Sequence, residues 1–509
     1  MLFEDITLPA YAKEILNNYL IPSGPGSPPE MLLLALNVFC SRILCHNRVK
    51  IKGYYKEEFF PNIYGLTFAI SGAGKDRVVS HIQSCYEDIF NEHREQFDGM
   101  HGSIIMELDN FVLEKSKENK DAGKSGWSKS RQEAYVLDNT PREACEEMSS
   151  ATPEGFVAAR EILERYGFGS LHFSNSEFLD YIMATNVTKE DILDILKDCY
   201  ELGHNGSKIT KGDKTIKIIK GVPQTMLVFS SIAGLLKEEK LNTKLDTFFN
   251  RGFARRSLVC YPEPIFYDRE KLPFQDFIKQ QEKSLDQKDK IKALFKIVNQ
   301  NTQKNLASKE GVKILIENDN IKNYIYNYEN YCAQMAEKIP EHEAEPFKSI
   351  LLDSSRKIIR LASVICAFEQ KDRRSDGNYE LTVENFEMAR EQVEFYYEQF
   401  TKFYNRVEIS DTEQVYLFIL KTQDKKEITK MLLRDQKFAP ARNGAVPAWL
   451  SNLLDKELPE YCAIKNKELV TVKGRNYKHY RIIDGSKSKM ESLSELQKEI
   501  DKNLPDELK

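Results

Sequence analysis

The stretch that decides the fold is residues 64–77, which read YGLTFAISGAGKDR. Its first half is apolar and rich in β-prone residues, which predicts a buried strand. Its second half is a turn of small residues that ends at Lys75, and a helical pattern begins at Val78. The sequence therefore predicts a strand, a glycine-containing loop, a lysine and a helix, in that order.

This order is typical of a phosphate-binding P-loop. Gly72 and Gly74 would let successive backbone N–H groups turn toward phosphate oxygens, and the helix N-terminus adds the positive end of its dipole. We expect the Lys75 ammonium to contact the β- and γ-phosphates of ATP. The other predicted nucleotide-binding positions are Ser71, Ala73, Asp76 and Arg77.

Two positions depart from the Walker A pattern G-x-x-x-x-G-K-[ST]. Ala69 replaces the first glycine, and Asp76 stands where a hydroxyl normally binds Mg²⁺. We expect Asp76 to hold Mg²⁺ through a water molecule, because hard cations accept carboxylate ligands. The alternatives are a loop that binds nucleotide weakly or not at all, and a plain glycine turn between a core strand and a helix.

The composition bounds the class of protein. A chain of 509 residues predicts two to four domains, and 41% hydrophobic with 30% charged residues is typical of a soluble globular protein. The apolar run Met31–Phe39 is too short for a membrane span, and the nine cysteines form no C-x-x-C pair. We expect reduced thiols, no membrane and a cytoplasmic location, in the host cytoplasm if the protein is phage-encoded.

A second strand is predicted from Leu171, and Glu177 follows it. A strand that ends in a carboxylate beside the P-loop strand is the Walker B arrangement, in which the carboxylate binds Mg²⁺ or orients the water that attacks the γ-phosphate. No aspartate precedes Glu177, so it would act alone or with Asp76. The alternative is an ordinary helix start that Ser174 or Asn175 caps.

Two later stretches add candidate residues. Gln224–Ser231 is predicted as a buried strand, and Ser230 and Ser231 at its end would either sense the γ-phosphate or cap the next helix. Arg255 and Arg256 flank an edge strand. Adjacent arginines are usually a solvated surface pair, but in a ring-forming NTPase one of them can complete the neighbour's site, and Arg256 is our candidate for that arginine finger.

The remaining segments up to residue 408 are mostly helical by pattern. Glu30–Leu44 is predicted as a buried apolar helix, and Val78–Phe97 as the helix that follows the P-loop. Residues 114–150 are dominated by polar and charged side chains, which predicts a long irregular insertion. Residues 275–405 show helical periodicity in several blocks.

Residues 409–485 follow the pattern of a winged helix, with three short helices before a β-hairpin. The strand-like runs are Tyr461–Lys465, Leu469–Val472 and Lys478–Ile483. The chain has a net charge of -5, so DNA contact requires a local basic surface, and the hairpin is locally basic. The predicted DNA-contacting residues are Lys473, Arg475 and Lys478. The alternative is a winged helix that docks protein and has a solvated lysine face.

Five short motifs lie in order along the chain: Pro61-Asn62-Ile63-Tyr64, Ser71-Gly72-Ala73-Gly74-Lys75-Asp76, Thr152-Pro153-Glu154, Gly252-Phe253-Ala254-Arg255-Arg256 and Lys357-Ile358-Ile359-Arg360-Leu361-Ala362. Their order and spacing resemble a family of P-loop ATPases encoded by phages and mobile elements, catalogued as a domain of unknown function and often found in primase–helicase replication modules. The resemblance covers residues 30–400 in outline. That family often has an acid after the lysine, as at Asp76, and usually has Asp-Glu where Ser176-Glu177 stands. The resemblance implies a RecA-like core, a site role for Arg360, and ATP hydrolysis coupled to movement on DNA or to its opening.

We therefore expect an α/β fold with a RecA-like P-loop NTPase core, a helical domain and a C-terminal winged helix. The expected boundaries are 1–49 for an N-terminal helical segment, 50–270 for the ATPase core, 271–408 for the helical domain, 409–485 for the winged helix and 486–509 for a polar tail.

The expected function is that of a DNA-dependent ATPase, a ring-forming replicative helicase of phage type, with ATP and Mg²⁺ as cofactors. We expect single-stranded DNA as a partner, a homo-oligomer such as a hexamer, and a primase or loader as a further partner. One alternative is a replication initiator or loader that binds nucleotide without motor activity. The other is a nucleotide-sensing oligomer with no role on DNA.

Overall fold

A computed structural model describes most of the chain. The described residues are 3–20, 28–69, 74–122, 125–140, 144–149, 153–183, 187–203, 219, 221–231, 245, 247–262, 274–303, 311–339, 344–404, 415–416, 418–420, 423, 428–433, 448–464, 467–473 and 478–484. The chain divides into two compact units, unit 1 from Met1 to Tyr404 and unit 2 from Asn405 to Lys509.

Unit 1 is built from helices around a parallel sheet. Its helices are α1 Ala10–Leu20, α2 Pro29–His46, α3 Lys75–Asp121, α4 Lys129–Asn139, α5 Pro153–Tyr166, α6 Phe178–Met183, α7 Val187–Leu202, α8 Ala254–Arg256, α9 Phe274–Gln303, α10 Asp319–Glu337, α11 Ala344–Leu352, α12 Ser354–Glu369 and α13 Val383–Tyr404. Its strands are β1 Lys50–Lys52, β2 Tyr64–Ala69, β3 Glu147–Met148, β4 Leu171–Asn175, β5 Gln224–Ser231, β6 Ser257–Cys260, β7 Lys313–Leu315 and β8 Tyr379–Glu380.

The central sheet has five parallel strands in the order β3-β4-β5-β2-β6. Strand β5 lies between β4 and β2, and seven of its eight residues are buried, which is typical of a central parallel strand covered on both faces. The prediction of an α/β fold is confirmed. The expectation that the strand before Glu177 lies beside the P-loop strand is wrong, because β5 separates β4 from β2.

Successive side chains of each strand point to opposite faces of the sheet, so the sheet joins two cores. On one face, Leu227 and Phe229 of β5 pack in the same core as α2 and the first turns of α3. On the other face, Met226 and Val228 pack in the same core as α5 and α7. The apolar helix predicted at Glu30–Leu44 is confirmed as α2, and 17 of its residues are buried.

Helix α3 is much longer than the sequence pattern predicts. It runs to Asp121 instead of ending at Phe97, and α4 follows inside the segment expected to be irregular. The Ser128 hydroxyl caps α4 by accepting from the Arg131 N–H at 3.3 Å, and the Trp127 and Tyr135 rings meet with centroids 5.2 Å apart. A polar sequence continues as helix here because it contains strong helix formers and because α4 packs against α3.

The helices after residue 270 share a core with the sheet. Phe295 of α9, Ile358 of α12 and Tyr396 of α13 belong to the same buried cluster as α1, α2 and Leu227. Strands β1, β7 and β8 form a second, parallel sheet whose outer members come from either side of that boundary. The core of unit 1 therefore crosses the boundaries expected at residues 49 and 270.

Unit 2 combines short helices with an antiparallel hairpin. Its helices are α14 Lys430–Leu433, α15 Ala448–Asn452 and α16 Leu458–Ile464, and its strands are β9 Lys467–Lys473 and β10 Lys478–Asp484. A single antiparallel bridge joins Thr429 to His479. The strand expected at Tyr461–Lys465 is wrong, because α16 covers its described residues and buries Leu458 and Cys462. The two strands of the hairpin are confirmed.

Helix α2 meets the length and hydropathy of a membrane span, alone among the helices searched in the described ranges. It is 94% buried inside unit 1, as the core helix of a soluble protein would be. All nine cysteines are free, as expected for reduced thiols. These observations are consistent with a soluble protein.

Candidate functional site at the carboxyl edge of the sheet

The parallel strands bring several predicted site residues to one edge of the sheet. Strand β2 ends at Ala69 and is followed by Gly74 and α3, while β4 ends at Asn175 just before Glu177. The register pairs Ala69 of β2 with Ser231 of β5, and Asn175 of β4 with Val228 of β5. The carboxyl ends of open parallel sheets are where ligands of α/β proteins usually bind.

Gly74 is the residue on which α3 begins. Its φ of +79° lies in the left-handed region, where a Cβ would be strained, so glycine is the residue that suits this turn. Lys75 is the first helical residue and is half-buried, and Asp76 and Arg77 lie in the same first turn. Ser71, Gly72 and Ala73 lie outside the described residues.

The side chains of Lys75 and Asp76 are not paired with the described part of the chain, since neither forms a hydrogen bond or ion pair there. Lys75 thus places an ammonium with no ion-pair partner among the described residues at the N-terminus of a helix, which already carries partial positive charge. An anion is the ligand that this arrangement suits.

The main chain and the side chain of Glu177 have different surroundings. Its main-chain N–H donates to Asn175 Oδ1 at 2.9 Å, and Asn175 Nδ2 donates to the Ser149 carbonyl at 3.0 Å. The first of these bonds closes a turn directly before α6, and the Glu177 carbonyl accepts the first helical hydrogen bond, from the Tyr181 N–H at 3.2 Å, so the helix start expected as the alternative is present but Asn175 is not its capping residue. These bonds use only the main chain of Glu177, and its exposed carboxylate forms no hydrogen bond with the described residues.

A cavity of about 580 Å³ opens at this edge, within the usual size range of small-molecule sites. Glu177 and Glu147 both line it, together with Val79 and Gln83 from the first turns of α3. Its other lining residues are Phe39, Ser149, His172, Ser174, Asn175, Ser176, Tyr181, Leu227 and Phe229. The cavity therefore joins the start of α3 to the ends of β3 and β4.

Glu147 is the site residue that the sequence analysis missed. Its Oε2 accepts from Arg42 Nη1 at 3.1 Å and its Oε1 accepts from the Ser174 hydroxyl at 3.1 Å. Burial alone would raise the pKa of Glu147, but the charges of Arg42 and His172 and the hydrogen bonds from Arg42 and Ser174 together hold the pKa below its usual value. Strand β3 has only two residues within a polar stretch, so no hydrophobic period marks it.

The two serines that end β5 point to opposite faces of the sheet. The Ser230 hydroxyl is buried and accepts from the Leu179 N–H at 2.9 Å, which caps α6. The helix that would follow β5 in the alternative lies outside the described residues. Ser231 shares its face with Phe229, which lines the cavity. Of the two hydroxyls, Ser231 is therefore the one on the side of the candidate site.

Arg256 lies at the amino edge of the sheet, directly before β6, about 20 Å along the strands from the edge that holds Lys75. Its Nη1 donates to the Gly252 carbonyl at 3.0 Å, and its Nη2 lies 3.5 Å from Glu201 Oε1. Burial and the neighbouring Arg255 lower the pKa of Arg256. Arg256 is thus buried and paired within its own chain, whereas Arg255 is half-buried. The Nε atoms of both arginines have no hydrogen-bond partner among the described residues.

Arg360 is also at the amino side, where it holds main-chain carbonyls. Its Nε donates to Phe60 O at 3.2 Å and its Nη2 to Tyr200 O at 3.0 Å, while the guanidinium lies 3.8 Å from the centre of the Tyr200 ring. Only 1% of Arg360 is exposed. Its contacts stabilise the chain before β2 and the end of α7, and do not reach the carboxyl edge.

The basic hairpin of unit 2 is described in part. Lys478 is exposed at the start of β10 and pairs in register with Lys473 at the end of β9. Arg475 lies outside the described residues. The register thus places two lysines at opposed positions, and the Lys478 side chain is exposed.

The chain was compared with protein-family models and with curated proteins. No protein-family model matches the chain, and a search of the curated proteins finds no match.

Proposed function

We propose that this chain is a P-loop ATPase with a RecA-like core. The observation that carries the proposal is that the Gly74–Lys75 helix start follows β2 and the exposed carboxylate of Glu177 follows β4 at the same edge of a parallel sheet, where Glu177 lines a cavity with Val79 and Gln83 of α3. A cation that binds phosphate and a carboxylate that orients water are the two parts that nucleotide hydrolysis needs. The sheet order and the helices on both faces are compatible with such a core.

The residues present fit ATP and Mg²⁺ as cofactors. The Lys75 ammonium would neutralise phosphate charge, and the Asp76 carboxylate would hold Mg²⁺ through water. Glu177 is the better candidate for the base, because the Glu147 carboxylate is already neutralised by Arg42. Glu147 would fix the wall of the cavity next to Glu177 through Ser174.

We further propose that the protein acts on DNA as a homo-oligomer, a hexameric helicase of phage replication that works with a primase or loader in the cytoplasm. The support is the resemblance in motif order together with the opposed lysines of the hairpin. We propose a winged helix for unit 2, supported by its short helices, its hairpin and the bridge at Thr429. An arginine finger would come from Arg255 more readily than from Arg256, because the latter is buried and paired.

A nucleotide-binding initiator or loader without motor activity is the second candidate. Ala69 at the first glycine position and Asp76 at the hydroxyl position favour it, since both changes weaken the usual hold on phosphate and Mg²⁺. The nucleotide-sensing oligomer without a DNA role would share these departures and lack salt-sensitive DNA binding.

ATP turnover with and without single-stranded DNA, measured alongside the mass in solution, separates the three functions. Hydrolysis stimulated by DNA in a ring-sized assembly is the expected result. Nucleotide-dependent assembly and DNA binding with no turnover would favour the initiator or loader. Assembly without any DNA binding would favour the sensing oligomer.

A further inference from the structure

Two histidines and a glutamate meet in the core of unit 1, and none of the three lines the cavity at the carboxyl edge. His46 ends α2, His93 lies in α3, and Glu146 directly precedes β3. All three are buried. Along α3, His93 is about 27 Å from Lys75, so this cluster is separate from the proposed nucleotide site.

The hydrogen bonds around His93 fix which of its nitrogens donates. His93 Nε2 lies 3.2 Å from Asn299 Oδ1. The orientation of Asn299 is set independently, because its Nδ2 donates to Glu92 Oε2 at 3.0 Å and its Oδ1 accepts from Asn47 Nδ2 at 2.9 Å. His93 Nε2 is therefore the donor, and the Nδ1 of the neutral ring presents a lone pair.

That lone pair faces another acceptor. His93 Nδ1 lies 3.6 Å from Glu146 Oε2 and has no hydrogen-bond partner among the described residues. His46 Nδ1 lies 2.7 Å from Glu146 Oε1, and its Nε2 lies 3.2 Å from Gln96 Oε1. Two ring nitrogens and a carboxylate thus converge within 4.8 Å of one another. Glu146 Oε1 is satisfied, since it also accepts from the Ser170 N–H at 3.1 Å, but Glu146 Oε2 faces the lone pair of His93 Nδ1. Burying two such acceptors against each other is costly unless a cation lies between them, and Arg42 pairs with Glu147 instead.

We propose that His46, His93 and Glu146 bind one transition-metal dication, and that Zn²⁺ is the metal they suit best. Imidazole nitrogen and carboxylate oxygen are common Zn²⁺ ligands, and imidazole favours Zn²⁺ over Mg²⁺ or Ca²⁺. Ligand bonds of about 2.1 Å in a tetrahedron place neighbouring donor atoms roughly 3.4 Å apart. The 3.6 Å between His93 Nδ1 and Glu146 Oε2 is close to this separation, whereas the 2.7 Å between His46 Nδ1 and Glu146 Oε1 would have to lengthen when the ion binds.

The surroundings of the cluster fit this assignment. The second nitrogen of each ring faces an amide oxygen, Gln96 Oε1 for His46 and Asn299 Oδ1 for His93, and such outer partners commonly orient metal-binding histidines. The two rings lie stacked at 4° with centroids 3.2 Å apart. Coordination through both Nδ1 atoms turns their planes apart, because each lone pair lies in the plane of its ring. The bound ion would join the end of α2 and the middle of α3 to the chain before β3.

Metal titration of the full chain, produced without a histidine tag and treated with chelator, tests the proposal. Co²⁺ should bind with one equivalent per chain and give the visible absorption of a low-symmetry site, and one equivalent of Zn²⁺ should displace it. Zn²⁺ should also raise the melting temperature in a concentration-dependent manner, because it binds the folded state. These measurements need no variant and so do not depend on a substitution that folds.

His93→Gln should weaken Co²⁺ binding by at least about 10-fold, whereas the control His81→Gln, on the same helix but outside the cluster, should bind as the wild type does. Lys75→Ala should also bind Co²⁺ normally, since the nucleotide site is distant. A wild-type chain with no Co²⁺ absorption and no Zn²⁺-dependent stabilisation would overturn the proposal and leave a proton on His46 as the neutralising charge. Equal Co²⁺ affinity in His93→Gln and His81→Gln would overturn it as well.

Discussion

The main-chain N–H of Glu177 donates to Asn175 next to the start of α6, whereas its side-chain carboxylate is exposed. A substitution that changes only the carboxylate should therefore leave the start of α6 in place. Glu147 is different, because its carboxylate is bound to Arg42 and Ser174. This contrast makes the pair useful for locating the catalytic base.

Glu177→Gln should retain ATP binding while turnover falls by on the order of 100-fold or more, because the amide cannot accept a proton from the attacking water. Turnover and nucleotide affinity, measured on the same preparation, check this. Glu147→Gln is the matched comparison, and it should lower stability because it leaves the buried Arg42 unpaired. Normal kinetics in Glu177→Gln would leave Glu177 a helix-cap residue only.

Arg255 and Arg256 should behave oppositely. Arg256→Ala should cost about 1–3 kcal/mol of stability, because it leaves polar groups near Glu201 and Gly252 without their partner. Arg255→Ala should fold normally and lose hydrolysis. If Arg255 acts in the neighbour's site, mixing Arg255→Ala with Lys75→Ala subunits should restore some activity at interfaces with an intact arginine and lysine. No recovery in assemblies that exchange subunits would rule out a role in trans.

At the residue scale, patterning located Lys75 and Glu177 because both follow apolar strands. The sequence pattern could not show which of Arg255 and Arg256 is buried, because Arg256 pairs with Glu201, which is distant in the sequence. It could not find Glu147, His46 or His93 as members of sites either. Their partners come together only when β3 joins the sheet beside β4 and α2 packs against α3.

Among the elements, β5 was predicted with its observed bounds, Gln224–Ser231, and β2 was predicted in place, because each is a continuous apolar run. The order of the strands in the sheet was not predictable, because no local sequence feature indicates that β5 lies between β2 and β4. The length of α3 was underestimated because its second half has a weak apolar stripe and depends on α4 for packing.

The contact between β4 and β5 predicts a dependence of stability on pH. His172 of β4 is buried and its Nδ1 lies 2.9 Å from the Thr225 hydroxyl, and burial followed by the charge of Arg42 lowers the pKa of His172 from 6.5 to about 3. Between these values the unfolded chain binds a proton that the folded chain does not. Stability from this group is therefore complete above pH 6.5 and declines as the pH falls toward 3.

Urea denaturation of the wild type and His172→Gln over this range measures the effect. The wild type should lose about 1.4 kcal/mol more per pH unit than the variant does, which is the worth of one proton. Parallel pH profiles for the two proteins would show that His172 is not the group responsible.

At the scale of the whole molecule, we assign the two proposed functions, ATP hydrolysis and DNA contact, to different units. Unit 1 holds Lys75 and Glu177, and unit 2 holds the basic hairpin. The net charge of -5 gives no overall attraction to DNA, so binding should depend on this local surface.

Charge reversal of Lys473, Arg475 and Lys478 together, in the full chain, should weaken DNA binding and leave basal ATP hydrolysis intact. The log–log dependence of affinity on salt should flatten by about 0.7–0.9 for each phosphate that the hairpin no longer neutralises, because fewer counterions are released. Reversal of Lys115, Lys117 and Lys120 on α3 provides a control of equal charge. An unchanged affinity and salt slope would indicate that the hairpin docks protein.

The measurement that tests the central claim most directly is ATP hydrolysis by Lys75→Ala beside Lys117→Ala. Both lysines belong to α3, but Lys75 begins it at the carboxyl edge and Lys117 is exposed near its other end. Lys75→Ala should remain folded and reduce hydrolysis to background, because the phosphate-binding cation is removed, while Lys117→Ala should match the wild type. Wild-type turnover in a correctly folded Lys75→Ala chain would contradict the account.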